Sequence, residues 1–255
     1  MHIQSRGNPL LVRIRKLLDD PAAYRKQQQI AIEGEHLCAA WLESGRGPVP
    51  QAVVTEAGWD RPALRELAGQ AEAVAVVSGA AMAGLASLES PAAILFLVPL
   101  PERLPCSAET ASVVLDRVQD PGNAGSILRS AAAFGFGQAI ALQGTAGLWS
   151  PKAVRAGMGA HFRLRLVEAA DLAPLRELAI PLLGTSSHAV ERVDQALLPW
   201  PCAWVFGHEG QGVSSEVQAL CTTVLRIAQP GGEESLNVAA AAAVCLHESA
   251  RRRLA

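Results

Sequence analysis

The stretch that decides the fold runs from Leu115 to Ser130 and reads LDRVQDPGNAGSILRS. Two later stretches share its layout: VFGHEGQGVS at 205–214 and IAQPGGEESLNV at 227–238. Each combines the end of an apolar strand, a glycine-containing turn and the start of a helix. Glycine lets a backbone adopt positive φ or come close to a ligand. Because pockets in open α/β sheets lie beyond the carboxyl ends of the strands, we expect the three loops to form one site.

The apolar pattern around these stretches predicts an α/β domain with a parallel sheet. Buried strands that alternate with helices are typical of a sheet covered on both faces. The expected strands are Ser112–Val118, Gln138–Leu142, Leu182–Thr185, Cys202–Phe206 and Val224–Ile227. The expected helices are Ala124–Phe134, Pro151–Met158, Ala173–Leu178, Ser215–Cys221 and Leu236–Ala250.

The N-terminal region predicts a second, smaller α/β domain. Three prolines, Pro99, Pro101 and Pro105, resist helix and central strand and mark a linker. We therefore expect one domain over residues 1–98, a linker over 99–110 and a second domain over 111–255. Helices are expected at Leu10–Leu18, Leu37–Glu43 and Pro62–Ala68, and strands at Ile30–Glu33, Ala52–Thr55, Val74–Val77 and Ile94–Val98.

Composition sets few further limits. A chain of 255 residues, half of them apolar, is long enough for two domains and a large core. The net charge of -2 argues neither for nor against nucleic acid. A basic cluster near the N-terminus fits a solvated helix face and an RNA-facing patch equally well; it comprises Arg13, Arg15, Lys16, Arg25 and Lys26.

The cysteines and the hydropathy pattern favour a cytoplasmic protein without a metal site. The five cysteines form no C-x-x-C pair, which indicates neither a zinc site nor a disulfide framework. The N-terminus lacks the apolar run of a signal peptide. The longest apolar stretch, at 92–98, is far too short to span a membrane.

Several other chemistries find little support. Gly135-Phe136-Gly137 follows a helix and precedes a strand, the reverse of a dinucleotide-binding fingerprint, and is typical of a helix end. The chain has no Walker A loop and no G-x-S-x-G elbow. Ser186-Ser187-His188 shows no sign of a catalytic triad, and neither His161 nor His188 has a partner at metal-ligand spacing.

The three stretches together resemble the SpoU, or TrmH-like, family of RNA ribose 2′-O-methyltransferases over roughly residues 110–250. The motif D-P-x-N-x-G-x-I-x-R is present at Asp120, Pro121, Asn123, Gly125, Ile127 and Arg129. The other two motifs occupy Phe206–Ser214 and Glu234–Val238, and Ser150-Pro151-Lys152 and Met158-Gly159-Ala160 also resemble family segments. Two positions depart from the family pattern. Ala228 lies where the family commonly has Pro, and His208 lies where a small polar residue is frequent.

The resemblance implies properties that the pattern alone does not. It implies a deep trefoil knot in the C-terminal domain, whereas general topology predicts none because threaded chains are rare. It implies S-adenosylmethionine as cofactor and a homodimer formed through the C-terminal domain. The N-terminal region is similar to the ribosomal-protein-like RNA-binding domain that many members carry.

The resemblance also assigns the site. The catalytic residues would be Arg129, Asn123, Glu209, Ser235 and Asn237. The cofactor-binding residues would be Phe206, Gly207, Gly210, Gly212, Ile227, Gly231, Ser235 and Leu236. A guanidinium stays protonated, so we expect Arg129 to clamp phosphate and stabilise a developing alkoxide. Each residue also has an ordinary interpretation: solvated helix position for Arg129, helix cap for Asn123 or Ser235, exposed loop for Glu209, and turns for the glycines.

The resulting hypothesis is methyl transfer from S-adenosylmethionine to a ribose 2′-hydroxyl of structured RNA. Ribosomal RNA is the first choice, because of the N-terminal domain, and tRNA is the second. The alternatives are a base methyltransferase of the same superfamily and a catalytically silent RNA-binding protein. Arg129 with Asn123 argues against the first alternative, and Arg129 with Asn237 against the second.

Overall fold

The structure, a computed structural model, describes residues 2–5, 7–85, 91–232 and 235–254. The chain forms two compact units. The first comprises residues 1–102 and 149–162, and the second comprises residues 103–148 and 163–255. The segment 149–162 belongs to the first unit because its side chains pack there: the rings of Phe162 and Trp41 meet edge to face at 5.4 Å, and Arg155 pairs with Glu33 at 2.8 Å.

The described residues contain the following regular elements. The strands are β1 (His2–Ile3), β2 (Gln29–Glu33), β3 (Gln51–Thr55), β4 (Val74–Val77), β5 (Ile94–Pro99), β6 (Ser112–Asp116), β7 (Gln138–Leu142), β8 (Arg165–Ala170), β9 (Leu182–Thr185), β10 (Glu191–Arg192), β11 (Ala203–Gly207) and β12 (Thr223–Arg226). The helices are α1 (Pro9–Asp19), α2 (Ala23–Gln27), α3 (Glu35–Ser44), α4 (Glu56–Trp59), α5 (Pro62–Ala68), α6 (Gly79–Ala83), α7 (Pro121–Ala133), α8 (Pro151–Gly157), α9 (Ala173–Arg176), α10 (Ser215–Gln218) and α11 (Val238–Leu254). A short 3-10 helix spans Ala160–Phe162.

The first unit is built on a mixed five-stranded sheet with the order β1-β4-β3-β5-β2. β1, β4 and β3 are parallel, and β5 runs antiparallel to β3 and β2. Helices α1 and α2 pack against the edge strand β2. Helix α1 begins at Pro9, whose missing N–H is not needed in a first turn, and the side chain of Asn8 accepts from the N–H of Leu10 at 2.9 Å.

The second unit is built on a seven-stranded sheet with the order β10-β12-β9-β11-β6-β7-β8. Every pair in it is parallel. Successive side chains of a strand point to opposite faces, and β11 uses both. Trp204 donates its indole N–H to Ser249 of α11 at 2.9 Å, while Ala203 and Val205 join an apolar cluster with Val114 and Ile140. Both faces are therefore covered, as the non-alternating pattern predicts.

The parallel α/β fold of the second unit is confirmed, and two of its strands were not predicted. β8 carries Arg165 and Glu168 at the edge of the sheet, so its sequence lacks a continuous apolar run. β10 is only two residues long. Gly135 has φ of +82° directly after α7, the left-handed conformation expected where a helix ends.

Candidate active site

Three loops leave the carboxyl edge of the seven-stranded sheet. β6 ends at Asp116, β11 at Gly207 and β12 at Arg226, and each is followed by one of the motifs. β11 lies beside β6, and β9 separates β11 from β12. Because these strands are parallel, the loops after them emerge at the same edge. The loop after β9, which carries Ser186–His188, emerges among them and was not singled out by the motifs.

Glu209 joins the second loop to the first through three hydrogen bonds. Its Oε2 accepts from the backbone N–H of Gln119 at 3.2 Å, and its Oε1 accepts from the N–H of Asp120 at 3.2 Å and from Asn123 Nδ2 at 3.1 Å. Burial raises the pKa of Glu209, but these donors outweigh burial and hold the pKa below its ordinary value. Glu209 is therefore ionised at neutral pH and serves as an acceptor.

Asn123 connects all three loops. It does not cap α7, because Asp120 does so by accepting the N–H of Asn123 at 2.9 Å. Its own amide donates to Glu209 and accepts from Asn237 Nδ2 at 3.1 Å. Asn237 in turn caps α11, since its Oδ1 accepts two N–H groups of the first turn at 2.9 and 3.2 Å. We call Glu209, Asn123 and Asn237 the polar chain; it takes one residue from each motif.

The second loop is built around a close backbone approach. A Cβ placed on Gly207 would overlap the backbone of Gly212 and Val213, so only glycine fits at 207. The backbones of His208 and Gly212 exchange two hydrogen bonds of 3.0 and 2.8 Å, and Gly212 has φ of +68°. The ring Nδ1 of His208 accepts from the N–H of Gly210 at 2.9 Å. His208, which stands where the family frequently has a small polar residue, therefore stabilises this turn.

A second carboxylate, which the motifs did not single out, holds the far end of this loop. Asp116 is buried, its Oδ2 accepts from the N–H of Ser214 at 2.6 Å, and its Oδ1 pairs with Arg117 at 3.2 Å. Arg117 also donates to Gln211 Oε1 at 3.0 Å. Its backbone has φ of +61°, and its N–H donates to Thr145 Oγ1 at 3.1 Å. In the sequence, the position of Asp116 at the end of an apolar strand was the signal that could have indicated its contact with Ser214.

Among the predicted residues outside the polar chain, Arg129 and Phe206 differ in exposure. Arg129 is exposed on α7, and its guanidinium makes no hydrogen bond or ion pair with any residue that the structure describes. The side chain of Phe206 is fully buried in the core of the second unit. Arg129 is thus open to a ligand, whereas Phe206 can offer a ligand only its backbone.

The third loop presents backbone and small side chains to solvent. Ile227 is half-buried, and Gly231, Ser235 and Leu236 are exposed. A Cβ built on Gly231 would meet no atom within 4 Å. Because Asn237 caps α11, Ser235 is not needed for that purpose. Glu234, part of the third motif, lies outside the described residues.

Candidate metal centres, apolar membrane-spanning helices and disulfides are absent from the described part of the chain. Within it, no group of three or more His, Cys, Asp or Glu side chains could hold a metal ion. No helix there is long and apolar enough to cross a membrane. The five cysteines are free thiols, and burial raises the pKa of Cys202 and of Cys245 to about 12.

Comparison with known proteins identifies related sequences and structures. Residues 110–247 match the SpoU rRNA Methylase family. A 23S rRNA (uridine(2479)-2'-O)-methyltransferase from Streptomyces viridochromogenes is 32% identical over 209 residues, which cover 77% of this chain and 72% of that protein. The crystal structure of an RNA 2'-O ribose methyltransferase superposes with a TM-score of 0.86 at 30% identity and covers 100% of both chains.

A structure with bound cofactor is also similar. The SpoU methyltransferase AviRb from Streptomyces viridochromogenes, in complex with the cofactor AdoMet, superposes with a TM-score of 0.85 at 25% identity. The match covers 97% of this chain and 99% of AviRb. Residues 110–247, which match the family, include all three loops. The chain belongs to the SpoU rRNA methylase family.

Proposed function

We propose that this protein transfers a methyl group from S-adenosylmethionine to a ribose 2′-hydroxyl of ribosomal RNA. The observation that carries the proposal is the polar chain, which ties the three family motifs together at one sheet edge. The similar proteins named above support a 2′-oxygen as the methyl acceptor and AdoMet as the donor. Their names favour ribosomal RNA over tRNA.

The second and third loops fit the cofactor. Gly210 and Gly231 are exposed and carry no side chain, so the carbonyl of Gly210 and the N–H and carbonyl of Gly231 are open to the polar edges of a compact ligand. We assign cofactor binding to Phe206, Gly207, Gly210, Gly212, Ile227, Gly231, Ser235 and Leu236. When bound, S-adenosylmethionine supplies an electrophilic methyl group. The task of the protein is then to hold the 2′-oxygen in line with it, and positioning of that kind contributes much of a catalysed rate.

Arg129 is the residue that we assign to the substrate. Its guanidinium is exposed and unpaired among the described residues, and its planar fork matches two oxygens of a phosphate. From there it also stabilises negative charge that develops on the 2′-oxygen. Arg129 stays protonated and is not the base. The proton passes to another acceptor, for which we favour a phosphate oxygen of the substrate.

Glu209 and the two asparagines act by position. An ionised carboxylate with a lowered pKa and three donors already in place is a weak proton acceptor. Glu209 therefore orients Asn123, which orients Asn237 at the start of α11. Ser235, two residues before Asn237, completes the catalytic set beside the third loop. Loss of one member should misplace the others, because a network responds as a unit.

Family membership supports our proposals for the remaining architecture. We infer a deep trefoil knot in the C-terminal domain, residues 111–255, and a homodimer formed through it. Residues 1–98 would recruit the RNA, with 99–110 as linker, and the protein would work in the cytoplasm. Light scattering should then give twice the 26.7 kDa mass of one chain, and a 26.7 kDa particle at micromolar concentration would contradict the dimer.

The chemical identity of the product tests the proposal. The protein is incubated with protein-free 23S rRNA and labelled S-adenosylmethionine, and the RNA is digested to nucleosides. We expect label in a 2′-O-methylated nucleoside. Label in a base-methylated nucleoside would point to the related base methyltransferases, and absence of label with intact cofactor binding would favour an RNA-binding protein without activity.

A further inference from the structure

Arg117 lies where three loops meet at the carboxyl edge of the seven-stranded sheet. It directly follows β6, and its N–H donates to Thr145 Oγ1 in the loop after β7 at 3.1 Å. Its Nε donates to Asp116 Oδ1 at 3.2 Å, and its Nη1 donates to Gln211 Oε1 in the loop after β11 at 3.0 Å. One side chain thus connects the end of β6 to the loop after β11.

Two contacts fix the direction of the Arg117 side chain. The side chain of Asp116 is only 3% exposed, so its carboxylate offers the guanidinium an immobile, charged acceptor. The stem of Arg117 passes over Gly144, where a Cβ would lie 3.2 Å from Arg117 Cγ. The guanidinium is therefore already held in place when it donates to Gln211, and little rotamer freedom is lost in that hydrogen bond.

The backbone of Arg117 has a conformation that residues other than glycine rarely adopt. Its φ is +61°, in the left-handed region, which brings a Cβ too close to the following carbonyl. Strained residues of this kind persist where their surroundings hold them, and they are concentrated at functional sites. A glycine at this position would relieve the strain but would lose the guanidinium, so the conformation points to a role for the side chain.

The tip of the loop after β11, residues 210–212, has little means of ordering itself. Gly210 and Gly212 carry no side chain, so Gln211 is the tip's single side chain. The ring Nδ1 of His208 accepts the N–H groups of Gly210 and Gln211 from within the loop, whereas Arg117 ties the Gln211 side chain to a different loop. Glycine loses more conformational freedom than other residues when it is ordered, so an anchor at Gln211 matters for binding.

We propose that Arg117 is a positioning residue that holds the tip of the loop after β11, through Gln211, in the conformation that binds S-adenosylmethionine. Arg117 acts without touching the ligand. Its effect is on affinity, because a loop that is ordered in advance pays less entropy when the ligand arrives. The inference rests on the proposed function in taking S-adenosylmethionine as the ligand of this loop.

The test breaks the contact from each side. Gln211→Ala removes the acceptor and keeps the ion pair of Arg117 with Asp116, so this variant does not endanger the fold. Arg117→Ala removes the donor, and the double variant removes both. Arg165→Ala is the control, because Arg165 also donates to another segment, to the carbonyl of Pro105 at 2.9 Å, but lies at the start of β8, at the opposite edge of the sheet.

Three quantities are measured for each variant: cofactor affinity by calorimetry, kcat and the cofactor KM for transfer to protein-free 23S rRNA, and a melting curve. We expect Gln211→Ala and Arg117→Ala each to weaken affinity by about five- to tenfold. The double variant should bind no more weakly than Arg117→Ala, because both single changes break the same contact. Arg165→Ala should bind like wild type.

The kinetic constants separate positioning from a loss of folded protein. The cofactor KM should rise by the same factor as the dissociation constant, while kcat at saturating cofactor stays at the wild-type value, because the bound ligand orders the loop. A loss of folded protein would lower kcat instead and would count against the inference.

Wild-type affinity in Gln211→Ala, or losses that multiply in the double variant, would overturn the inference and leave the proposed function standing. Affinity that depends on Gln211 and Arg117, without any methyl transfer by the wild type, would uphold the inference and sink the proposed function. A wild-type protein that binds no S-adenosylmethionine would overturn both.

Discussion

Replacing Asn123 with aspartate should turn the centre of the polar chain into a repulsive contact. Asn123 Nδ2 donates to Glu209 Oε1 over 3.1 Å, and an aspartate would place an oxygen there. Two like charges at that distance repel by about 1.3 kcal/mol in water and about 5 kcal/mol near a protein surface. Glu209 is exposed, which favours the lower end, and a negative charge in the first turn of α7 recovers up to about 1 kcal/mol.

With the lost charge-assisted hydrogen bond added, we expect Asn123→Asp to lower the free energy of unfolding by about 1 to 2 kcal/mol at pH 7. The repulsion raises the pKa of the carboxylate pair above its unfolded value, so the penalty is complete above that raised pKa and is lost as pH falls through it. Urea unfolding at pH 7 and pH 5 measures the change, and the gap to wild type should narrow at pH 5.

Asn123→Ala serves as the control, because it breaks both hydrogen bonds of the side chain without adding a charge. Its gap to wild type should stay the same between pH 7 and pH 5. An Asn123→Asp protein as stable as wild type at pH 7, or a gap that does not change with pH, would refute the contact between Asn123 and Glu209.

Three further predictions concern single positions. Gly207→Ala should destabilise the protein by about 3 kcal/mol or more, because backbone atoms occupy the place of the new Cβ. Gly231→Ala, the control, should melt like wild type. Equal melting temperatures for the two variants would contradict the close backbone approach at Gly207. The Cys245 thiol, whose pKa burial raises to about 12, should resist iodoacetamide at pH 8 until urea unfolds the protein, and rapid labelling of folded protein would disprove its burial. Arg251 and, to a smaller extent, Arg252 donate hydrogen bonds that lower the pKa of Glu248 to about 2. Its stabilising effect should therefore be present above pH 4.5 and disappear toward pH 2, so urea unfolding of Glu248→Gln and wild type should converge over that range.

The sequence was sufficient to predict the bounds of several elements in both units. β7, β9 and α5 have the predicted bounds, because apolar runs bordered by glycine or proline leave little choice. The strand-turn-helix layout predicted that the three loops lie together, because parallel strands bring their carboxyl ends to one edge of the sheet. The edge strand β8 escaped prediction because its charged residues interrupt the apolar pattern.

The contacts within the site could not be predicted from local patterns. Glu209 reaches the N–H groups of Gln119 and Asp120 across about ninety residues of sequence, and only the strand order brings them together. The hydrogen bond from Ser214 to the buried Asp116 has the same origin. Asn123 illustrates the limit: the sequence offered a helix cap or an active-site role, and the structure excludes only the cap, because Asp120 occupies it.

The central claim is that this site carries out methyl transfer to a 2′-oxygen with Arg129 on the substrate. The most direct measurement is single-turnover transfer of label from S-adenosylmethionine to 23S rRNA by wild type, Arg129→Lys and Arg129→Ala, with a melting curve and a cofactor titration for each. We predict normal folding and cofactor binding in both variants. The activation free energy of methyl transfer should rise by about 2 to 4 kcal/mol in both, because both lose the planar fork of the guanidinium. A wild-type rate in Arg129→Ala would contradict the claim.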